Sequence, residues 1–295
     1  MELEKYKQLE KIILQDISKK TERSYFSDDF SEREVAEEII SHFLNQSEDG
    51  GLVLKYQPKV HKSGKVNAAE MLSRYKIGDT YIHPQVLFTL INQKGLEREI
   101  LYRQIDMVCK TMSQFIKAFG KDFCVSINVN PQIFDKNFCD YYLQKINEYG
   151  LSAKNIAIEL LESSDFSLVK KQDIYKLQKA GTQINLDDYG TGYATKDVMT
   201  KYGFDIIKIA GEKVENIDTD KEKQKFVLQT IAYAKQTKKQ IVAERVETKQ
   251  ELKFLLEAGV DYIQGYVFSP AISAEELIQK YNQNTNSVEE IIKID

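Results

Sequence analysis

Residues 183–192, QINLDDYGTG, form an apolar run that ends in two carboxylates and continues into a glycine-rich loop. Three other short apolar runs end in an acid or an amide, at Asn128, Glu159 and Glu244. Glu70 closes an earlier run of the same kind. An isolated acid is costly to bury, so acids at the ends of successive buried strands predict a shared positive counter-charge. A pair of divalent cations meets that need and is typical of phosphoester chemistry.

Short β-rich runs alternate with helical patterns from Leu52 onward. The strand candidates are Leu52–Gln57, Val66–Leu72, Cys124–Val129, Ile156–Leu161, Gln183–Asp187, Ile206–Ile209, Gln240–Glu244 and Tyr262–Gly265. In residues 96–119, apolar side chains recur three and four apart, which indicates a helix. Eight strands over roughly 240 residues predict an α/β fold of the (β/α)8 barrel type, with a doubly wound open sheet as the alternative. Functional residues of such barrels collect at the carboxyl ends of the strands, where these acids lie.

Composition narrows the class of protein. The 295 residues are 42% apolar and 29% charged, which is ordinary for a globular chain. The net charge of −4 gives no reason to expect long nucleic acid as a partner. Three cysteines without a CxxC pair fit a reducing cytoplasm. The charged start MELEKYKQLEK predicts no secretory signal, and no apolar stretch is long enough to predict a membrane segment.

The chain divides into three parts on pattern alone. Residues 1–46 predict an N-terminal helical extension, because apolar residues recur at helical spacing and Ser31–Glu34 reads as a capping box. This extension is either a packing element of the main domain or a dimerisation or regulatory element. Residues 47–282 form the predicted barrel domain, and residues 283–295 a polar C-terminal tail.

Two features carry most of the predicted chemistry. Asp187 and Asp188 repel each other unless a cation lies between them, although a carboxylate pair beside glycines is also common in simple turns. Lys208 is a cation within an apolar run, so it either pairs with the acids or serves as a nucleophile of lowered pKa, as in a Schiff-base enzyme. The three histidines are scattered, so a metal site here would be rich in oxygen ligands.

At this point the motifs resemble those of the EAL family of cyclic di-GMP phosphodiesterases, over about residues 52–270 and in the family's order. The matching motifs are Tyr56-Gln57-Pro58, Glu70-Met71-Leu72 with Arg74, Asn128, Glu159, Glu162, Asp187–Thr195, Lys208, Ala243–Thr248 and Gln264-Gly265-Tyr266. The resemblance implies a modified TIM barrel whose first strand runs antiparallel to the others. It also implies hydrolysis of cyclic di-GMP to linear pGpG and a homodimer formed through the barrel.

The resemblance further implies roles for individual residues. Mg²⁺ or Mn²⁺ would be held by Glu70, Asn128, Glu159, Asp187, Asp188 and Glu244. Substrate would contact Gln57, Glu70, Leu72, Arg74, Asp188 and Gln264. Glu244 and Lys208 would orient and deprotonate the attacking water. Glu162 would support the loop at Tyr189, Gly190, Thr191 and Gly192, which also shapes the dimer.

Two of the positions that depart from the family pattern bear directly on the metal site. Ala210 stands where an Asp is usual, which removes a negative charge beside the second cation. Arg245 replaces a glycine, and its side chain either competes with a metal for Glu244 or points to solvent. The sequence therefore predicts a metal-dependent phosphodiesterase, with a degenerate domain that only binds cyclic di-GMP as the alternative.

Overall fold

The computed structural model describes residues 3–19, 24–25, 30–45, 50–77, 80–161, 166–192 and 194–282. The chain forms two compact units, one from Met1–Lys55 and Ser73–Gln104 and one from Tyr56–Leu72 and Ile105–Asp295. Two long strands, β1 (Gly50–His61) and β2 (Val66–Ile77), contribute residues to both units. The predicted tail at 283–295 lies outside the described residues.

The first unit has a largely helical core of its own. Its further elements are α1 (Leu3–Ser18), α2 (Phe30–Asn45), β3 (Thr80–Ile82), α3 (Pro84–Lys94) and the start of α4 (Glu97–Phe119). Tyr6, Leu9 and Ile13 share one face of α1 and pack with apolar residues of α2 and α3. The two helices predicted for residues 1–46 are thus confirmed, whereas β3 and α3 were not predicted.

The second unit is built on a closed eight-stranded sheet. Its other strands are β4 (Cys124–Val129), β5 (Ile156–Leu160), β6 (Ile184–Tyr189), β7 (Ile206–Ile209), β8 (Gln240–Ala243) and β9 (Tyr262–Ile263). From β2 through β4 to β9 each strand is parallel to the next, while β1 pairs with β2 and runs antiparallel to β9. These pairings close the sheet, so the predicted barrel with an antiparallel first strand is confirmed and the open-sheet alternative is wrong.

Helices follow the barrel strands. They are the remainder of α4, then α5 (Lys136–Glu148), α6 (Lys171–Ala180), α7 (Lys196–Tyr202), α8 (Lys221–Thr237), α9 (Lys249–Ala258) and α10 (Ala274–Tyr281). Within the described ranges, no helix has both the length and the apolar character to cross a membrane.

The strand boundaries matter most at β1. The sequence predicts that this strand ends at Gln57, but it continues to His61, where the backbone N–H donates to Lys65 O at 2.9 Å and begins the turn into β2. The four extra residues carry Lys59 into the barrel, where it is 5% exposed. A second buried cation therefore enters the interior in addition to Lys208.

Candidate active site

Acidic and amide side chains meet at the carboxyl ends of the parallel strands, as the sequence predicts. Asn128 on β4 lies opposite Glu159 on β5, and Asn128 Nδ2 donates to Glu70 Oε1 at 2.8 Å. Glu159 is fully buried and Glu70 is 5% exposed. Barrel closure thus brings together residues that are up to 174 positions apart, from Glu70 to Glu244.

A bulge in β6 decides where the adjacent acids point. Side chains alternate between the two faces of a regular strand, so Asp187 and Asp188 would face opposite ways. The pairing with β7 shifts register between Leu186 and Tyr189, and Asp188 adopts a left-handed φ of 45°. One ligand oxygen from each of Asp187, Asp188 and Glu244 consequently lies within 4.8 Å of the other two. The three form a compact group of carboxylates.

Lys208 lies among four of the acids at this end of the barrel. Its Nζ is 2.6 Å from Glu159 Oε2, 2.6 Å from Asp187 Oδ1, 2.7 Å from Glu244 Oε1 and 3.5 Å from Glu70 Oε2. Burial alone would lower the pKa of this lysine, but the surrounding carboxylates outweigh burial and raise its pKa well above the usual value. Lys208 is therefore a protonated ion-pairing residue, which supports the first of its two alternatives and disfavours a nucleophile.

Lys59 is a second cation that sequence reasoning missed. Its Nζ donates to Glu159 Oε1 and to Ser126 Oγ, the latter at 2.7 Å. The sequence offers one weak signal, since Lys59 lies two residues after Gln57 and would share its face of a longer strand. The extension of β1 beyond Gln57 had to be known first.

Four carboxylates lie within ion-pair distance of these two lysines, and the pKa values of three of them are shifted in different directions. Burial would raise the pKa of Glu159, but Lys208 and Lys59 outweigh it and lower the pKa to about 2. Burial raises the pKa of Asp187 to about 7, helped by the charges of neighbouring acids and opposed by Lys208. Burial, with neighbouring carboxylates, also raises the pKa of Glu244 well above its usual value. The cluster therefore holds protons that a stronger cation could displace.

The predicted substrate residues of the second unit form a hydrogen-bonded row beside the acids. Gln264 Nε2 donates to Glu70 Oε2 at 2.6 Å and to Gln57 Oε1 at 3.0 Å. Gln57 Nε2 donates to Ser269 O at 3.1 Å. Leu72 is half-buried on β2, two residues after Glu70 and hence on the same face.

Arg74 belongs to the first unit. It is half-buried on β2, and its Nη1 donates to Ser73 O at 2.9 Å. The structure thus brings Gln57, Glu70 and Gln264 together by direct hydrogen bonds, while the predicted contact of Arg74 with substrate stays a prediction.

The loop after β6 is held by its own backbone and by a neighbouring ring. Thr191 Oγ1 donates to Asp188 O at 2.8 Å, and Tyr189 stacks on Phe226 with ring centroids 5.9 Å apart. Gly190 has a φ of 99°, and a Cβ there would lie 2.6 Å from the Phe226 ring. Gly192 also has a positive φ, of 46°. Glu162, the predicted support for this loop, lies outside the described residues.

Ala210 and Arg245, two of the departures from the family pattern, lie close together. Ala210 follows β7 and is 1% exposed, and the next residue is Gly211. A Cβ on Gly211 would lie 2.2 Å from Arg245 Cδ, so the Arg245 side chain covers this glycine. Arg245 is exposed and forms no ion pair with any residue that the structure describes. Arg245 therefore does not compete for Glu244, in agreement with the solvent-facing alternative.

Arg245 adopts a left-handed φ of 52°, which disfavours a side chain by roughly 1–2 kcal/mol. Glycine relieves this strain but gains freedom in the unfolded chain. We expect Arg245→Gly to raise the free energy of unfolding by about 0.5 kcal/mol in urea denaturation. Lys238 has a φ of 56° after α8, so Lys238→Gly should raise the free energy of unfolding by a similar amount. Lys225→Gly within α8 should lower stability by about 1 kcal/mol, and an equal loss in Arg245→Gly would contradict the expectation.

The donor set fits hard divalent cations. Carboxylate and amide oxygens are the ligands that Mg²⁺ and Mn²⁺ prefer. Asn128 Oδ1 is buried and has no hydrogen-bond partner among the described residues, although its Nδ2 is bonded to Glu70. A buried acceptor without a donor is costly, and a cation at this place would satisfy it. The observation fits the predicted role of Asn128 as a ligand.

Known proteins resemble this chain in both sequence and fold. The sequence pattern of the EAL domain family matches residues 40–271. A probable cyclic di-GMP phosphodiesterase of Escherichia coli K12, PdeG, is 28% identical over 257 residues, which cover 85% of this chain and 50% of PdeG. An EAL domain protein of Listeria monocytogenes EGD-e superposes with a TM-score of 0.72 at 26% identity, covering 86% of this chain and 99% of that one.

A third relative extends the comparison of the fold. The PaMucR phosphodiesterase, solved in complex with c-di-GMP, superposes with a TM-score of 0.74 at 24% identity, covering 82% of this chain and 99% of that one. The matched part of this chain spans about half of the length of PdeG. The chain belongs to the EAL domain family.

Proposed function

We propose that this protein hydrolyses cyclic di-GMP to linear pGpG in a reaction that depends on Mg²⁺ or Mn²⁺. The observation that carries the proposal is the carboxylate group of Asp187, Asp188 and Glu244 beside the unpartnered Asn128 Oδ1. Membership of the EAL family and the name of PdeG support the substrate. The metal ligands would be the six residues that the resemblance implies, Glu70, Asn128, Glu159, Asp187, Asp188 and Glu244.

Bound divalent cations supply charge stabilisation at a phosphate and lower the pKa of a bound water. The protein's own side chains transfer the proton, hold the acids and orient the nucleotide. The ionised carboxylate of Glu244 accepts the proton of the attacking water. Lys208 stays protonated and holds Glu159, Asp187 and Glu244 in place through its three shortest contacts. Gln57 and Gln264, already hydrogen-bonded to each other, orient the nucleotide beside Glu70.

The direct test is incubation of the purified full chain with cyclic di-GMP and Mn²⁺, with separation of the products by chromatography. We expect pGpG with Mn²⁺ or Mg²⁺, none in EDTA, and inhibition by Ca²⁺. An absence of pGpG at saturating Mn²⁺ would overturn the proposal.

Ala210 favours a second candidate function, a receptor that binds cyclic di-GMP without cleaving it. Calorimetry in EDTA separates the two candidates. A receptor of this kind binds the nucleotide without metal and never produces pGpG, whereas an enzyme produces pGpG once Mn²⁺ is added. Absence of binding in EDTA together with turnover in Mn²⁺ would exclude the receptor.

We expect Ala210→Asp to strengthen the weaker divalent site by about tenfold, which corresponds to about 1.4 kcal/mol, because it adds a carboxylate beside the acids. Mn²⁺ titration of turnover measures this change. Ala210→Asn is the matched control, since it adds the same shape without the charge. Position 210 is 1% exposed, so both variants should lower metal-free stability by about 1–3 kcal/mol. Equal Mn²⁺ dependence in the two variants would contradict a role for charge.

Metal binding should release protons. Asp187 has a pKa of about 7, so a cation that binds there below that pH must displace its proton, and the raised pKa of Glu244 acts in the same direction. Mn²⁺ affinity therefore rises as pH increases toward about 7, by up to about tenfold per pH unit for each proton displaced. Calorimetry in buffers of different ionisation enthalpy counts the protons. An affinity that is constant between about pH 5 and about pH 7 would contradict the expectation.

Oligomeric state, location and domain roles are proposed together with the function. We propose a homodimer formed through the barrel near the loop at residues 189–192, which light scattering of the purified chain can test. We propose a cytoplasmic location. We also propose that residues 1–46, 47–282 and 283–295 act as extension, barrel domain and tail.

A further inference from the structure

A cavity lies at the end of the barrel opposite the acids, where the parallel strands begin. Its volume is about 330 Å³, which is within the range of small-ligand sites. Bulky branched side chains usually fill a barrel interior. Here the walls include the small residues Ala68, Ser126 and Ala157, which leave room inside.

The walls of this cavity carry more positive than negative charge. The lysines are Lys59 and Lys154, and the acid is Asp122. Lys154 is exposed at the entrance, and its ammonium has no ion-pair partner in the described part of the chain. Four amide side chains, Asn67, Gln183, Asn185 and Gln240, complete the polar lining. Asn185 is 2% exposed, and its Oδ1 has no hydrogen-bond partner among the described residues.

Lys59 connects the cavity with the acidic site. Its ammonium has three N–H groups, of which one donates to Glu159 and one to Ser126 Oγ. The third has no partner in the described ranges, although the side chain is 5% exposed. A buried charged donor that is not fully satisfied favours an acceptor, and the cavity is the space beside it.

We propose that this cavity binds a small hydroxylated organic anion, whose acidic group accepts a hydrogen bond from Lys59 and whose hydroxyl groups contact the amide side chains. Lys154 attracts the anion at the entrance. The ligand would draw Lys59 away from Glu159, which then keeps Lys208 as its remaining cationic partner. Glu159 becomes more available to a divalent cation.

The second part of this inference rests on the proposed function, because it treats Glu159 as a metal ligand. Coupling between two sites is reciprocal and typically changes affinity by about 5- to 150-fold. We expect the anion to tighten Mn²⁺ binding at least about fivefold. Mn²⁺ in turn tightens binding of the anion by the same factor.

The test of binding uses a thiol that lines the cavity and needs neither metal nor turnover. Cys124 is half-buried there, whereas Cys109 and Cys139 are buried elsewhere. The rate at which methyl methanethiosulfonate modifies Cys124 in the metal-free full chain is read by mass spectrometry at one fixed pH. The probes are glucose 6-phosphate, gluconate and, as the neutral control, glucose, all at millimolar concentration.

Either anion should slow modification of Cys124 at least about threefold at concentrations above its dissociation constant, and glucose should not. Protection by gluconate alone identifies a carboxylate ligand, and protection by glucose 6-phosphate alone a phosphate ligand. Lys59→Met should abolish the protection. Lys154→Glu, an exposed substitution compatible with folding, should weaken it, while the exposed control Lys253→Glu on α9 should not. Protection by neither anion, equal protection by glucose, or unchanged protection in Lys154→Glu overturns the proposal.

The coupling is measured separately by paramagnetic resonance of free Mn²⁺ with and without the protecting anion. A Mn²⁺ affinity that does not change in the presence of a bound anion overturns the coupling and leaves the binding site intact. Both readouts are independent of pGpG formation, so failure of the proposed hydrolysis is distinguishable from failure of this inference.

Discussion

Asp187→Asn is expected to reduce turnover of cyclic di-GMP at least about a hundredfold while leaving the protein folded. The substitution removes one charged ligand from the group formed with Asp188 and Glu244. Charge stabilisation by a bound cation is worth several kcal/mol, and a loss of about 3 kcal/mol corresponds to about a hundredfold in rate. Initial rates of pGpG formation at saturating Mn²⁺ measure this effect.

The stability of the metal-free Asp187→Asn variant should not fall, in contrast to its turnover. With a pKa of about 7, Asp187 in the metal-free protein is already partly protonated at neutral pH and is repelled by its neighbours. Asparagine keeps its shape and its acceptor toward Lys208 without the charge. We expect metal-free Asp187→Asn to be at least as stable as the parent in urea. Asp218→Asn, an exposed position, is the matched control, and turnover within about tenfold of the parent would contradict a ligand role for Asp187.

Lys208→Met is expected to be the most destabilising single change in the barrel. Removing one partner of a buried ion pair typically costs about 3–5 kcal/mol, and Lys208 is 1% exposed with four carboxylates around it. The loss should be largest at about pH 8, where the acids must ionise. It should be smaller at about pH 5, because protonation then removes their repulsion. Urea denaturation of metal-free protein at both pH values gives the comparison.

The sign of that pH dependence is specific to the charge cluster. Without Lys208 the carboxyl pKa values rise in the folded state, so the folded protein binds more protons than the unfolded chain and stability falls as pH rises. Lys62→Met is the control, since its ion pair with Asp261, at 2.9 Å, is largely exposed and should contribute less than about 1 kcal/mol. An equal loss at both pH values would show that packing, not charge, accounts for the effect of Lys208→Met.

The barrel and the general place of its acids were predictable because both depend on short-range patterns. Each strand is marked by an apolar run, and in parallel strands the carboxyl ends meet at one edge. Cys124–Val129 and Ile206–Ile209 have the same boundaries in the sequence and in the structure. Glu159 and Lys208 are buried together as their apolar surroundings indicate.

The parts that were not predictable depend on contacts between distant residues. The ammonium of Lys59 appears as a partner of Glu159 only when β1 and β5 are placed in the same barrel. The short strand Thr80–Ile82 is made of strand-forming residues, but three residues are too few to mark a strand without the pairing with β2, as in Tyr75↔Ile82. The inward direction of both Asp187 and Asp188 needs the register shift in β6, which has no marker in the letters of the sequence.

The bulge in β6 has a consequence for insertions and deletions. A family that keeps the letters Asp-Asp but loses one residue from this strand would regain regular alternation, and one carboxylate would turn out of the barrel. The number of residues in this strand therefore constrains the site as strictly as the identity of the acids does. Anyone who transfers this cluster to another barrel must copy the irregular backbone of residues 186–189 along with the acids, because the same side chains on a regular strand would not converge.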